Sequence, residues 1–296
     1  MTDTIERVIS KSGNFFGICC KTTTLVSTAC RMHDVGPLAA VALGRALTGA
    51  ALLAALLKDG QSVQLKFAGS GPLGKVITEA GYDGWVRGYV ARPHADLPLK
   101  NGLIDVASGI GHAGFLTVTK NISGHQKYPG TIQLYTSEIG EDIAYYLTTS
   151  EQTPSVIALG MDLNRDGSVA AAGGFLIQSL PPAEEHSLLS IEQQISSLPS
   201  LAQLFDDENS PGTVLSTIFS NIPHKKTAAG ELYYSCSCNR SKMQGALLSL
   251  GYEELSHLLQ KEGKAEVRCE FCRDTYTFNR QELEAILATE PEKNQH

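Results

Sequence analysis

The chain is 296 residues long and 42% hydrophobic, with 28 glycines and a formal net charge of −7. That length holds one large domain plus a smaller one, in a composition that is globular and not low-complexity. The acidic balance argues against a nucleic-acid module, whose affinity rests on neutralising phosphates with basic side chains: residues 1–180 hold 14 basic and 14 acidic side chains, residues 181–230 hold 2 against 6, and residues 231–296 hold 8 against 11.

The first ten residues, MTDTIERVIS, lack the apolar stretch of a signal peptide, so the expectation is a cytoplasmic protein. There, seven cysteines point to metal or redox chemistry and not to a structural disulfide framework. Residues 1–180 read as a mixed α+β domain. Strand-like runs fall at 15–20, 62–67, 84–90, 115–120 and 130–135, separated by Gly, Pro and Asp turn signals. Helical patterns cover 37–58 and 137–150. The strands come as hairpin-like neighbours without strict β-α alternation, which disfavours a doubly wound parallel sheet.

Residues 38–57 are apolar enough to resemble a membrane span, but Arg45 sits near the middle. A central arginine costs about 2.5–3.5 kcal/mol on insertion scales. Pro37 at the start and Gly60 just past the end fit a buried helix of a core. Cys19, Cys20 and Cys30 lie in the apolar N-terminal part. Adjacent strand residues point to opposite faces, so Cys19 and Cys20 do not converge on one metal, and all three read as small buried hydrophobes. His33, His94, His112 and His125 show no acid or nucleophile partner, and no catalytic residue is assigned.

Two motifs in this domain are decoys. Gly69-Ser-Gly-Pro-Leu-Gly-Lys75 mimics a phosphate loop, yet Val76 stands where a Ser or Thr hydroxyl is needed, and Pro72 removes a backbone donor. A tight hairpin is expected instead. Residues 162–167 open like a calcium loop, but Gly173 occupies the position of the bidentate Glu. A hairpin turn is expected there too.

Pro181-Pro182 closes the first domain. Residues 181–230 then mix short amphipathic pieces with breakers. Leu188, Ile191, Ile195 and Leu198 recur at helical spacing, and 201–205 and 214–219 are shorter apolar pieces around an acidic Pro-Gly break at 206–212. Helices under about 12–15 residues are marginal alone, so these must dock on something. They read either as an ordinary connector packed on the core or as a metastable segment.

Residues 231–296 form a small module with helical patterns at 241–250 and 252–262. Asn279 with Glu282 makes a capping-box analogue for a helix over 281–288. Few large apolar side chains are available, so a metal staple is expected. The candidates are Cys236 and Cys238 in Cys-Ser-Cys, then Cys269 and Cys272 in Cys-Glu-Phe-Cys, thirty residues further on. Four thiolates in two close pairs suit tetrahedral Zn²⁺. The same pairs could instead close short-range disulfides, and a purely structural zinc site is the plainer alternative.

The tetracysteine arrangement resembles that of the 33 kDa chaperonin (heat shock protein 33) family. Gly69-Ser-Gly-Pro-Leu-Gly74, Val86-Arg87-Gly88, Ser150-Glu151-Gln152-Thr153-Pro154 and Ala171-Ala172-Gly173-Gly174-Phe175-Leu176 extend the likeness nearly end to end. The resemblance implies a mixed α+β chaperone core at 1–180, a metastable helical linker at 181–230 and a zinc-binding redox switch at 231–296. It implies an ATP-independent holdase and not an enzyme, inactive while reduced with one Zn²⁺ per chain on Cys236, Cys238, Cys269 and Cys272. Oxidation would join Cys236 to Cys238 and Cys269 to Cys272 and release the metal. The implied partners are unfolded client proteins, with no nucleic acid and no membrane. The reduced chain would be a monomer and the oxidised form a homodimer. Two other classes stay open: a thiol-disulfide oxidoreductase using Cys269 and Cys272, and a zinc-ribbon nucleic-acid binder.

Overall fold

The computed structural model describes residues 2–122, 127–181, 185–205 and 209–289. His125 and residues 206–208 lie outside the described residues, as do the side chains of Leu188 and Leu201. The chain divides into two compact units, Met1–Ser235 and Cys236–His296.

In chain order the first unit contains β1 (Asp3–Ser10), β2 (Phe15–Lys21), α1 (Thr23–His33), α2 (Pro37–Ala54), β3 (Ser62–Gly69), β4 (Lys75–Gly81), β5 (Trp85–Val90), α3 (Val106–Ile110), β6 (Gly114–Asn121) and β7 (Lys127–Gln133). It continues with α4 (Ile139–Ser150), β8 (Ser155–Leu163), β9 (Val169–Ser179), α5 (Glu185–Ser196), α6 (Leu201–Leu204), α7 (Pro211–Ile218) and β10 (His224–Tyr234). Among the described residues the strands make one ten-stranded sheet, ordered β7-β6-β3-β4-β5-β10-β1-β2-β9-β8. The class is therefore α+β, as expected from hairpin-like strand neighbours. All the pairings are antiparallel except β10 with β5, which run parallel over Tyr233↔Trp85 and Tyr234↔Val86. β10 lies across the sequence-based division at residue 230.

Both decoys are hairpins. β3 and β4 flank the glycine-rich turn, where Gly74 has φ +74°. β8 and β9 flank residues 164–168, where Gly167 has φ +83°.

α2 is the centre of the larger hydrophobic core. It is the one helix among the described residues long and apolar enough to cross a membrane, and 89% of it is buried inside the protein. Arg45 reaches the core's edge, where its Nη1 donates to Glu138 Oε2 at 2.9 Å. α1 starts without a cap from its own neighbours. The Asp3 carboxylate of β1 accepts from Thr24 N at 3.1 Å and Leu25 N at 2.6 Å. A long-range residue thus satisfies the orphan donors of a helix start.

The β1-β2-β9-β8 half of the sheet is covered on both faces. Along β2 the side chains alternate: Ile18 and Cys20 join the α2 core, while Phe15 and Cys19 face a second apolar cluster. The opposite-face expectation for Cys19 and Cys20 holds. The second cluster brings Phe15, Cys19, Phe175 and Ile177 of the sheet against Ile191, Leu204, Phe205, Leu215, Ile218 and Phe219 of the following helical segment. The short helices are docked, and two glycines admit them. A Cβ at Gly17 would stand 2.8 Å from Phe219 Cε2, and one at Gly173 would drive into the Phe205 ring.

The second unit holds α8 (Arg240–Leu248), α9 (Tyr252–Lys261), β11 (Lys264–Arg268), β12 (Thr275–Asn279) and α10 (Arg280–Thr289). β11 and β12 pair antiparallel. Its core is small: Leu247, Leu255, Ala265, Phe278, Leu283 and Ile286 are buried. The expected capping box is present. Asn279 Oδ1 accepts from Glu282 N at 3.0 Å, and Asn279 N donates to Glu282 Oε2 at 2.9 Å.

Candidate metal centre

Local structure aims two knuckles at one point. Cys236 and Cys238 precede α8, whose N-cap Asn239 accepts from Lys242 N at 2.9 Å. The Lys242 ammonium donates to the carbonyl of Ser237 at 2.8 Å and to its hydroxyl at 3.0 Å, fixing the residue between the two thiols. Cys269 and Cys272 lie in the tight connection from β11 to β12. There Cys269 N donates to Asp274 O and Arg273 N to Cys269 O, both at 2.9 Å. Arg273 takes φ +62° to close the turn.

The four sulfurs lie within 4.8 Å of one another. Cys236 Sγ is 3.8 Å from Cys269 Sγ, and Cys238 Sγ is 3.2 Å from Cys272 Sγ. A tetrahedron with metal–sulfur bonds of about 2.3 Å has edges of about 3.8 Å, so this donor set fits a tetrahedral ion. Crowding acts on protonation as well. Burial pushes the Cys272 thiol well up, and hydrogen bonding with the other three thiols adds to it. A cation at the centre of the group would offset that cost and hold the Cys272 sulfur as a thiolate. Cys269 is buried and the other three are half-buried. Tyr276, on β12, places its hydroxyl 3.3 Å from Cys238 Sγ. That contact holds the phenol up at about 12.

The remaining cysteines belong to the other unit and are free thiols. Burial pushes all three up, Cys30 to about 12. His33 is buried, with the Tyr234 hydroxyl 3.5 Å from its Nε2. His94 is exposed beside Asp34 at 3.9 Å, and His112 is exposed. None of these joins the cysteine group. The sequence reading missed Tyr276 and Lys242. The alternation of Thr275, Tyr276, Thr277 and Phe278 is the signal for the strand that carries the tyrosine.

The Hsp33 protein family model matches residues 3–279. The 33 kDa chaperonin of Desulfotalea psychrophila is 60% identical over 287 residues, covering 97% of this chain and 98% of that protein. The one from Geobacter sulfurreducens is 46% identical, covering 97% and 95%. The solved structure of the 33 kDa chaperonin (heat shock protein 33 homolog) of Thermotoga maritima superposes with a TM-score of 0.89 at 36% identity, covering 98% of this chain and 99% of that one. The chain belongs to the Hsp33 family of 33 kDa chaperonins, a family of chaperones and not of enzymes.

Proposed function

We propose that this chaperone is a redox-switched, ATP-independent holdase that keeps unfolding client proteins from aggregating. The observation that carries the reading is the meeting of four sulfurs, from two sequence-local pairs, within 4.8 Å of one another. In the resting state Cys236, Cys238, Cys269 and Cys272 would hold one Zn²⁺. Bound there, zinc keeps the thiols deprotonated at neutral pH and contributes its binding energy to folding of the small unit.

Oxidation proceeds within each pair. A thiolate attacks one oxygen of a peroxide, the O–O bond breaks, and hydroxide leaves a sulfenic acid behind. The neighbouring thiol then attacks that sulfur, forms the disulfide and expels water. Each pair has its resolving thiol two or three residues away. The products are Cys236–Cys238 and Cys269–Cys272, which no longer serve as thiolate ligands. Residues 231–296 lose their staple, and the α5–α7 part of the linker over 181–230 is released from the sheet face. The sheet face of the 1–180 core and the apolar sides of α5, α6 and α7 then meet clients. Partners are unfolded proteins, with neither nucleic acid nor membrane. The reduced form is a cytoplasmic monomer and the oxidised form a homodimer.

A dithiol oxidoreductase is the second reading, and the local geometry speaks against it. Cys269 and Cys272 sit in a β-turn connection, without the helix N-terminus that lowers a reactive thiol's pKa. Light scattering of a heat-unfolded client without ATP, beside an insulin-reduction assay, separates the two. The proposal expects suppression only after peroxide and no insulin turnover. Insulin turnover without suppression would reverse the choice.

A further inference from the structure

The cysteine group has a neighbour that ligation alone does not require. β12 alternates so that Tyr276 and Phe278 share a face, and Phe278 is 2% exposed in the small unit's core. Tyr276 stands opposite Val267 in β11, one residue short of the strand's end at Arg268. Arg240, two residues after Cys238, reaches the same strand. Its Nη2 donates to Thr277 O and Glu282 Oε1, both at 2.7 Å, and the guanidinium lies 4.4 Å over the Phe278 ring. The start of α8 is thereby tied to β12, and the Tyr276 hydroxyl is held 3.3 Å from Cys238 Sγ.

We propose that Tyr276 is a positioning residue of the metal centre, whose hydroxyl donates to the Cys238 sulfur, tightening metal retention and slowing Cys238 as a nucleophile. This rests on the four-cysteine site reading. A metal-bound thiolate carries no proton, so the phenol is the donor. A hydrogen bond to a charged acceptor is about twice as strong as a neutral one. The donated proton draws electron density from the sulfur lone pairs, the electrons that would attack an oxidant or alkylating agent. Hydrogen bonds to ligating sulfurs tune metal–sulfur sites in the same way.

The test uses the full-length, reduced, zinc-loaded protein with Tyr276→Phe and Tyr276→Leu. Zinc affinity is measured by competition with a chromogenic chelator. The sulfur-to-metal charge-transfer band is recorded after cobalt(II) replacement. Alkylation of Cys238 by iodoacetamide is followed by peptide mass mapping. Loss of an outer-shell partner costs about 10–100-fold in metal affinity, so Tyr276→Phe should weaken zinc by about that factor, shift the cobalt band and speed Cys238 alkylation. Tyr276→Leu should fall close to Phe. A Phe variant matching wild type in all three readouts, with Leu alone impaired, would reduce Tyr276 to core packing and overturn the proposal. Should the Phe variant not fold, 3-fluorotyrosine incorporation strengthens the phenol as donor. It should move the cobalt band opposite to loss of the hydroxyl, and an unmoved band overturns the proposal. Wild-type protein that binds no zinc at all would instead refute the site reading itself.

Discussion

Phe219→Ala is the substitution that tests how the linker is held. Phe219 is fully buried between α7 and β2, over the notch left by Gly17. Truncating such a ring typically costs about 3–5 kcal/mol. At 1.4 kcal/mol per tenfold, that shifts the docking equilibrium by about two to three and a half decades. The loss falls on docking and not on the core, because Phe219 belongs to the outer cluster and α2 fills the opposite face. Once undocked, α7, with its 8 residues, cannot persist alone. Hydrogen exchange on the reduced, zinc-loaded protein should show α7 amides losing protection while β2 and β9 keep theirs. Dye binding to apolar surface should rise, and partial holdase activity should appear without peroxide. Leu47→Ala in α2 is the control: it removes a fully buried side chain from the inner core, costs about 2–5 kcal/mol and should give no such activity. If Phe219→Ala exposes α7 and β2 together, or stays inactive until the same peroxide dose as wild type, the linker is not a separately releasable cover.

Further outcomes follow from the same geometry. Cys272→Ser should leave three thiolates, lower zinc affinity steeply and deprotect the second unit in hydrogen exchange, while β2 and β9 hold; global unfolding would refute the independence of that unit. Peptide mapping after peroxide should recover Cys236–Cys238 and Cys269–Cys272, and mainly long-range bridges, or bridges to Cys19, Cys20 or Cys30, would overturn the pairing. Burial raises the Asp3 carboxyl above its ordinary 3.8, so the native state holds that proton more tightly than the unfolded chain does. Its contribution to stability is full below 3.8 and is lost as pH rises through the raised value. Urea titrations from pH 4 to 6 should show a shallower decline for Asp3→Asn than for wild type, and parallel declines would contradict the assignment.

What the sequence made legible was local. The apolar 38–57 stretch with its terminal Pro and Gly reads directly as a buried helix. Cys-Ser-Cys and Cys-Glu-Phe-Cys declare a candidate ligand set, because ligand spacing is a property of neighbours. The hidden parts depend on distant partners. α1 lacks a local cap because Asp3 supplies it from β1. β9 reads Val-Ala-Ala-Ala-Gly-Gly-Phe-Leu-Ile, with no period of two, since both of its faces are buried, one under α2 and one under the linker. β10 pairs with β1 from more than 200 residues away in sequence, and a register at that distance leaves no mark in a local pattern. Tyr276 was missed for the same reason: its contact with Cys238 exists only once β12 is tied to the start of α8.

The most direct test of the redox switch titrates one reduced sample with peroxide at raised temperature. Zinc release is read with a chromogenic chelator and client aggregation by light scattering, aliquot by aliquot. A redox-switched holdase carries one zinc per chain at the outset, gives no suppression at that point, and gains suppression together with zinc release, reversibly on reduction. Full suppression by the reduced, zinc-loaded protein, or complete zinc release with no gain in suppression, would contradict it.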